Sequence, residues 1–143
     1  MKKLPTSCPP LENITLLAVS SEEEDRRSLE SILDPNGWTI QGAQSIREAT
    51  QLIVEKPGLI LCEKDLPDGS WKDILRMAAK LDSQPPVVVV SRSADQRFWA
   101  EVLNLGGYDL LLKPLQGNEV SRVLSMAWRH AHVREPLAAH ATA

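Results

Sequence analysis

Leu59-Ile60-Leu61-Cys62 is an unbroken apolar run that ends in a carboxylate, Glu63, and chain-turning residues fence it on both sides. Pro57-Gly58 precede it and Pro67-Asp68-Gly69 follow, before a helical pattern begins near Ser70. Such a run between turn signals reads as a strand buried on both faces, because a strand with one wet face alternates polar and apolar residues. A strand of that kind needs a layer above and a layer below, which points to α/β architectures. It also puts Glu63 at the strand's carboxyl end, the edge at which open parallel sheets hold ligands and chemistry.

The same unit recurs along the chain. Ile14 to Val19 is a first buried strand, stopped by Ser20-Ser21. Ser21 is positioned to cap a helix, with Glu24 as its capping-box partner and Leu29, Ile32 and Leu33 turned inward. Asp34-Pro35-Asn36-Gly37 ends that helix, and Trp38-Thr39-Ile40 alternates as a short edge strand would. Ser45 caps a second helix carrying Ala49, Leu52 and Ile53, while Trp71, Ile74, Leu75 and Ala78 mark a third. Gln84-Pro85-Pro86 turn the chain into Val87 to Val90, a plain buried strand ended by Ser91. From Ala94 to Leu105, Phe98, Val102 and Leu105 share a helical face, with Gly106-Gly107 as the stop. Tyr108 to Leu112 is the fifth strand, and a last helix from Gly117 to His130 buries Val120, Val123, Leu124 and Ala127.

Strands alternating with helices at this spacing imply right-handed crossovers and a doubly wound parallel sheet. Placing the most apolar strands in the middle favours the order 2-1-3-4-5, a flavodoxin-like three-layer α/β/α fold. One domain is expected over residues 13–131, between a flexible leader at 1–12 and a flexible tail at 132–143. No effector domain is expected after the last helix, so output should pass through another chain.

Composition narrows the function. A net charge of −3 over 143 residues, with no Lys/Arg block, recommends neither nucleic acid nor an anionic membrane as a partner. The run Glu22-Glu23-Glu24-Asp25 ahead of Arg26-Arg27 reads as a solvated helix surface. The two cysteines, Cys8 in the proline-flanked leader and Cys62 in the buried run, make a poor disulfide pair, which fits a reducing cytoplasm. No apolar stretch approaches the length of a membrane span. His130 and His132, at a helix end, read as solvated or favoured by its dipole rather than as a metal pair.

In the expected strand order, Ser20, Ser21, Glu22, Glu63, Ser91 and Lys113 all follow strands and share one surface. With Leu66-Pro67 shortly after the third-strand carboxylate, Gly106 before the fifth strand and Lys113-Pro114 after it, the chain resembles the receiver domain of bacterial response regulators (CheY-like) over about residues 14–130. The resemblance implies a pair of acids after the first strand that holds magnesium, and an aspartate after the third that accepts a phosphoryl group. It further implies a hydroxyl after the fourth strand and a lysine after the fifth that bind its oxygens, an aromatic on the fifth that reports the state, and a cis Lys113-Pro114 bond.

This chain departs from that pattern at three points. Ser20 and Ser21 stand where the acidic pair belongs, and hydroxyls are weak magnesium ligands; Glu22 is one position late. Glu63 stands where the phosphoryl-accepting aspartate belongs, and its extra methylene displaces the carboxylate on a scale that costs about a hundredfold in rate. Leu110 replaces the aromatic, while Ser91 and Lys113 match. The expectation is a single-domain, degenerate receiver of two-component signalling, not an enzyme, that acts through protein contacts without phosphorylation and without a cofactor. Its partners would be a histidine kinase, a downstream target or a second copy, with Phe98, Trp99 and Trp128 as interface candidates. Glu63 could pair with Lys113 as a permanent mimic of the phosphorylated state, or merely occupy a site that lost its task. The alternative is a working phosphorelay receiver that uses Glu22, Glu63 or Asp65 with a rearranged magnesium site. A flavodoxin-like small-molecule binder is disfavoured, because Ser20-Ser21-Glu22-Glu23 has no glycine and too much negative charge to cradle a phosphate.

Overall fold

The computed structural model describes residues 14–93 and 95–132. The expected leader, Cys8 and nearly all of the expected tail lie outside these residues. In chain order the elements are β1 (Thr15–Val19), α1 (Glu23–Leu33), β2 (Thr39–Ala43), α2 (Ile46–Leu52), β3 (Leu59–Glu63), β4 (Asp65–Leu66), β5 (Gly69–Ser70), α3 (Trp71–Lys80), β6 (Val87–Ser91), α4 (Gln96–Asn104), β7 (Asp109–Leu112) and α5 (Gly117–His132).

Five strands form one parallel sheet in the order β2-β1-β3-β6-β7. The two-residue strands β4 and β5 pair only with each other, as a small hairpin between β3 and α3. Counting the main strands alone, this is the expected order 2-1-3-4-5. Strands β1, β3 and β6 are central, and their side chains feed both layers: Leu16, Ala18, Leu59, Leu61, Val88 and Val90 pack with α1 and α5, while Leu17, Val19, Ile60, Cys62, Val87 and Val89 pack with α2, α3 and α4. Period-two alternation explains the split, since neighbouring residues of a strand point to opposite faces.

Several local expectations hold and others need correction. Ser45 caps α2 by accepting from the Glu48 backbone N–H at 3.2 Å, and Ser70 with Asp73 forms a capping box on α3. Ser21 does not cap α1: Glu22 is the N-cap residue and makes no side-chain cap, because the serine turned to the local backbone is Ser20. Leu105 does not share the buried face of Phe98 and Val102 but is 51 % exposed. Helix α4 stops at Asn104, and Gly106, at φ 107°, turns the chain so that the Gly107 N–H returns to the Val102 carbonyl at 2.8 Å. A Cβ on Gly107 would lie 2.6 Å from Val102 Cγ1, so this turn admits no side chain there.

Candidate functional site

Parallel register brings the ends of β1, β3, β6 and β7 to one edge. Lys113 follows β7 directly; its N–H donates to the Ser91 carbonyl at 3.0 Å, and its peptide bond to Pro114 is cis. Its side chain is 5 % exposed, and its ammonium donates to Glu63, to Asp25 at 2.5 Å and to Glu22 at 3.2 Å. Glu63 is covered almost as well, and its Oε2 accepts from Lys113 Nζ and from Ser20 Oγ at 3.0 Å. Ser20, 1 % exposed, also takes the Glu22 backbone N–H on its Oγ at 3.1 Å. Its carbonyl is held by Arg26 Nη1 at 2.7 Å. Over this buried knot lies an exposed pair: Arg92 Nη2 donates to both carboxylate oxygens of Glu22, at 3.0 and 3.2 Å.

The structure therefore unites Ser20, Glu22, Glu63 and Lys113 and adds a residue that sequence reasoning missed. Asp25 belongs to the acidic run read as solvated surface, yet its carboxylate is turned in to Lys113. The available signal was spacing, because Glu22 and Asp25 are three apart and so share one face of the first helical turn. Ser21 is exposed, and among the described residues no side-chain hydrogen bond joins it to this group. Ser91 is buried at the edge, but its hydroxyl donates to the Ser93 carbonyl at 2.7 Å rather than to Glu63. Asp65 is exposed on β4 and stands outside the cluster of carboxylates. Leu110, where an aromatic was implied, is half-buried against the α2/α3/α4 layer.

The charges in the knot pull one another's titrations. Burial pushes the Glu63 carboxyl up, and although the Lys113 ammonium opposes this, the net direction is upward. For Asp25 burial is the largest single influence and acts upward, but the hydrogen bonds with Lys113, Glu22 and Glu63 and the charge of Lys113 together outweigh it and hold the carboxyl below its usual range. Burial depresses Lys113, yet its bonds to Asp25 and Glu63 prevail and raise it above an ordinary lysine. Cys62, just beneath, has its thiol pushed far up by burial, so it is an inert core side chain.

Could this set hold magnesium? Carboxylate oxygens of Glu22, Asp25 and Glu63 lie within 4.8 Å of one another, which suits a hard cation in donor type. The Lys113 ammonium, however, engages all three carboxylates, and Arg92 engages Glu22 as well. A magnesium ion needs oxygens at about 2.0–2.1 Å in a strict octahedron. It would have to take those oxygens from the ammonium, so as arranged the site does not fit the ion.

The aromatic candidates separate. Phe98 is buried, edge-on to Trp71 with ring centroids 5.8 Å apart and the Lys64 ammonium 4.5 Å from its ring, so it is part of the α3/α4 seam. Trp99, its neighbour, is 49 % exposed. Trp128 is half-buried in the other layer, against Gly58 and stacked on His132, and does not extend a Trp99 patch. His130 and His132 are engaged with the Tyr108 hydroxyl and the Trp128 carbonyl. Among the described residues no helix is long and apolar enough to cross a membrane.

A five-stranded sheet in this order, with a carboxylate at the end of β3, a hydroxyl at the end of β6 and a lysine with a cis proline after β7, defines a class. Residues 16–125 match the response regulator receiver domain family, and the chain belongs to it. Among curated relatives it is 28 % identical over 114 residues to the response regulator protein PilR of Pseudomonas aeruginosa, covering 79 % of this chain and 26 % of PilR. It is 30 % identical over 115 residues to the KDP operon transcriptional regulatory protein KdpE of Escherichia coli, covering 80 % of this chain and 51 % of KdpE. The chain thus spans from about a quarter to about half of these relatives. Among solved structures, the signal receiver domain of a Luxo repressor protein from Vibrio parahaemolyticus superposes with a TM-score of 0.78 at 21 % identity, covering 83 % of this chain and 92 % of that one.

Proposed function

We propose that this receiver domain works as a phosphorylation-independent protein-interaction module of two-component signalling, with its phosphoryl site closed by an internal ion cluster. The observation that carries the reading is the Lys113 ammonium, 5 % exposed and already engaged by Glu63, Asp25 and Glu22. Phosphoryl transfer asks a site for free positive charge over the equatorial oxygens and a nucleophile held in line. Here the buried cation is already engaged by carboxylates, and the carboxylate that ends β3 is a glutamate held by Lys113 and Ser20. The site needs no resident metal, since two cations face its three carboxylates. The side chains the domain offers to a kinase, a downstream protein or a second copy are those of α4, where Trp99 and Leu103 are exposed.

One observation supports the phosphorelay alternative: the three carboxylates do converge, as a rearranged metal site would require. Intact mass after incubation with a small-molecule phosphodonor and magnesium decides between the readings, with Glu63→Ala and Asp65→Ala in parallel. The expected result is no adduct under conditions that label an ordinary receiver. An adduct lost in either variant identifies a working acceptor and overturns the closed-site reading.

A further inference from the structure

We infer that Arg92 is a positioning residue that ties the start of α4 to α1 and to Lys113 through Glu22, so that an ionic strap sets the placement of the exposed α4 surface. The strap rests on the closed-site reading above, because Glu22 can bridge to Lys113 only while that ammonium faces the carboxylates.

The geometry comes from three neighbouring elements. Arg92 is the first residue after β6, and its guanidinium reaches across to both oxygens of Glu22, the N-cap residue of α1. Glu22 Oε1 also accepts from Lys113 Nζ at 3.2 Å, so one carboxylate joins an exposed cation to a buried one. Only three residues beyond Arg92, Asp95 caps α4: its side chain accepts from the Phe98 N–H at 2.8 Å and its carbonyl from the Trp99 N–H at 3.1 Å. The uncharged groups at the same edge do not supply a substitute, since Ser91 Oγ donates within its own loop and Leu110 has no polar atom to offer.

The two cations differ in exposure, which gives the strap a distinctive signature. The Arg92 side chain is 72 % exposed and that of Lys113 is 5 % exposed. Salt screens an exposed pair strongly, with a Debye length of about 3 Å at 1 M, and a buried one much less. The Arg92–Glu22 contact should yield to salt while the Lys113 knot persists.

Amide hydrogen exchange at Phe98 and Trp99 tests this in the wild-type chain, Arg92→Ala, Arg92→Lys, and Arg27→Ala as a control that breaks an exposed pair with Glu23 on α1. Arg92→Ala should speed these amides about two- to fivefold, the range expected for loss of one exposed pair. Arg92→Lys should recover part of the protection and Arg27→Ala should change nothing. Salt at 1 M should speed the wild-type amides to the Arg92→Ala rate while leaving that variant unmoved. Equal exchange in wild type and Arg92→Ala, or an equal response of both to salt, overturns the strap. Phosphodonor labelling of the same samples keeps the two ideas separable. An adduct on wild type with the exchange difference intact defeats the closed site alone; no adduct and no exchange difference defeats the strap alone.

Discussion

The interior of the sheet and the edge just beyond it are one residue apart and obey different rules. Val19, Cys62 and Val90 are wholly or almost wholly buried among aliphatic side chains, and the next residues are Ser20, Glu63 and Ser91. Inside, burial of apolar surface is favourable wherever shapes fit, at about 1.5–3 kcal/mol for each large side chain. At the edge every buried polar atom must find a partner, and an ion pair recovers little more than its desolvation cost. The interior should therefore carry the stability, and the edge should decide which arrangement of α1 and α4 is populated.

Truncation in the interior should give the largest effect. Leu61 is 2 % exposed and packs with the α1/α5 layer, so Leu61→Ala should cost about 3–4 kcal/mol, within the range for buried leucines. Urea unfolding checks it, and a cost below that of any edge variant would reverse the comparison. Lys113→Ala comes next. It leaves the partly buried Glu63 and Asp25 without their cation, and breaking a buried pair in this way costs about 3–5 kcal/mol when both partners are fully covered. Because Glu22 is partly exposed and can turn to water, about 2 kcal/mol is expected here. In Lys113→Ala/Glu63→Gln the cost should shrink, since the uncompensated charge goes with the glutamate.

The pH dependence should be gentler, because the two partly buried carboxyls oppose one another. Asp25 is held below its unfolded value, so its contribution is present above about pH 3.9 and is lost as pH falls through the lower folded value. Glu63 is raised, so the folded chain takes up its proton before the unfolded chain does, and stability increases as pH falls through that window. Urea midpoints across the acid range should therefore show a slight gain before the loss. Glu63→Gln should remove the gain and keep the loss, and Asp25→Asn should reduce the loss, the remainder coming from Asp68 and Asp73, whose carboxyls are held low by backbone N–H groups. A wild-type profile that falls monotonically from neutral pH would reverse the assignment of the two directions.

The same contrast explains what was legible in the sequence. Strand order and the meeting of Glu63 with Lys113 follow from apolar runs and parallel register, which fix where a strand ends regardless of side-chain detail. Asp25 was missed because four consecutive acids look alike to a hydropathy pattern, and its spacing from Glu22 marks a shared face without showing what that face meets. Only the three-dimensional position of Lys113 selects Glu22 and Asp25 and leaves Glu23 to pair with Arg27 at the surface. Ser21 misled for a related reason, since capping statistics do not show that its neighbour Ser20 will be drawn to Glu63. Leu105 kept the helical spacing while the helix itself ended one residue earlier at a glycine turn.

The smallest effect on stability should come from the side chain most exposed to a partner. Phe98 and Trp99 are adjacent on α4, about 100° apart around the helix axis, and only one can enter the seam with Trp71. Phe98 does, leaving Trp99 49 % exposed in line with Leu103. Trp99→Ala should shift the unfolding free energy by no more than about 0.5 kcal/mol, as surface substitutions do. Sedimentation of wild type and Trp99→Ala over a concentration series reads the other half of the comparison. If a second copy docks on this face, self-association should be lost in the variant while its thermal midpoint stays in place. A stability loss comparable to that of Leu61→Ala would instead make Trp99 part of the interior, and the division drawn at the sheet edge would not extend to α4.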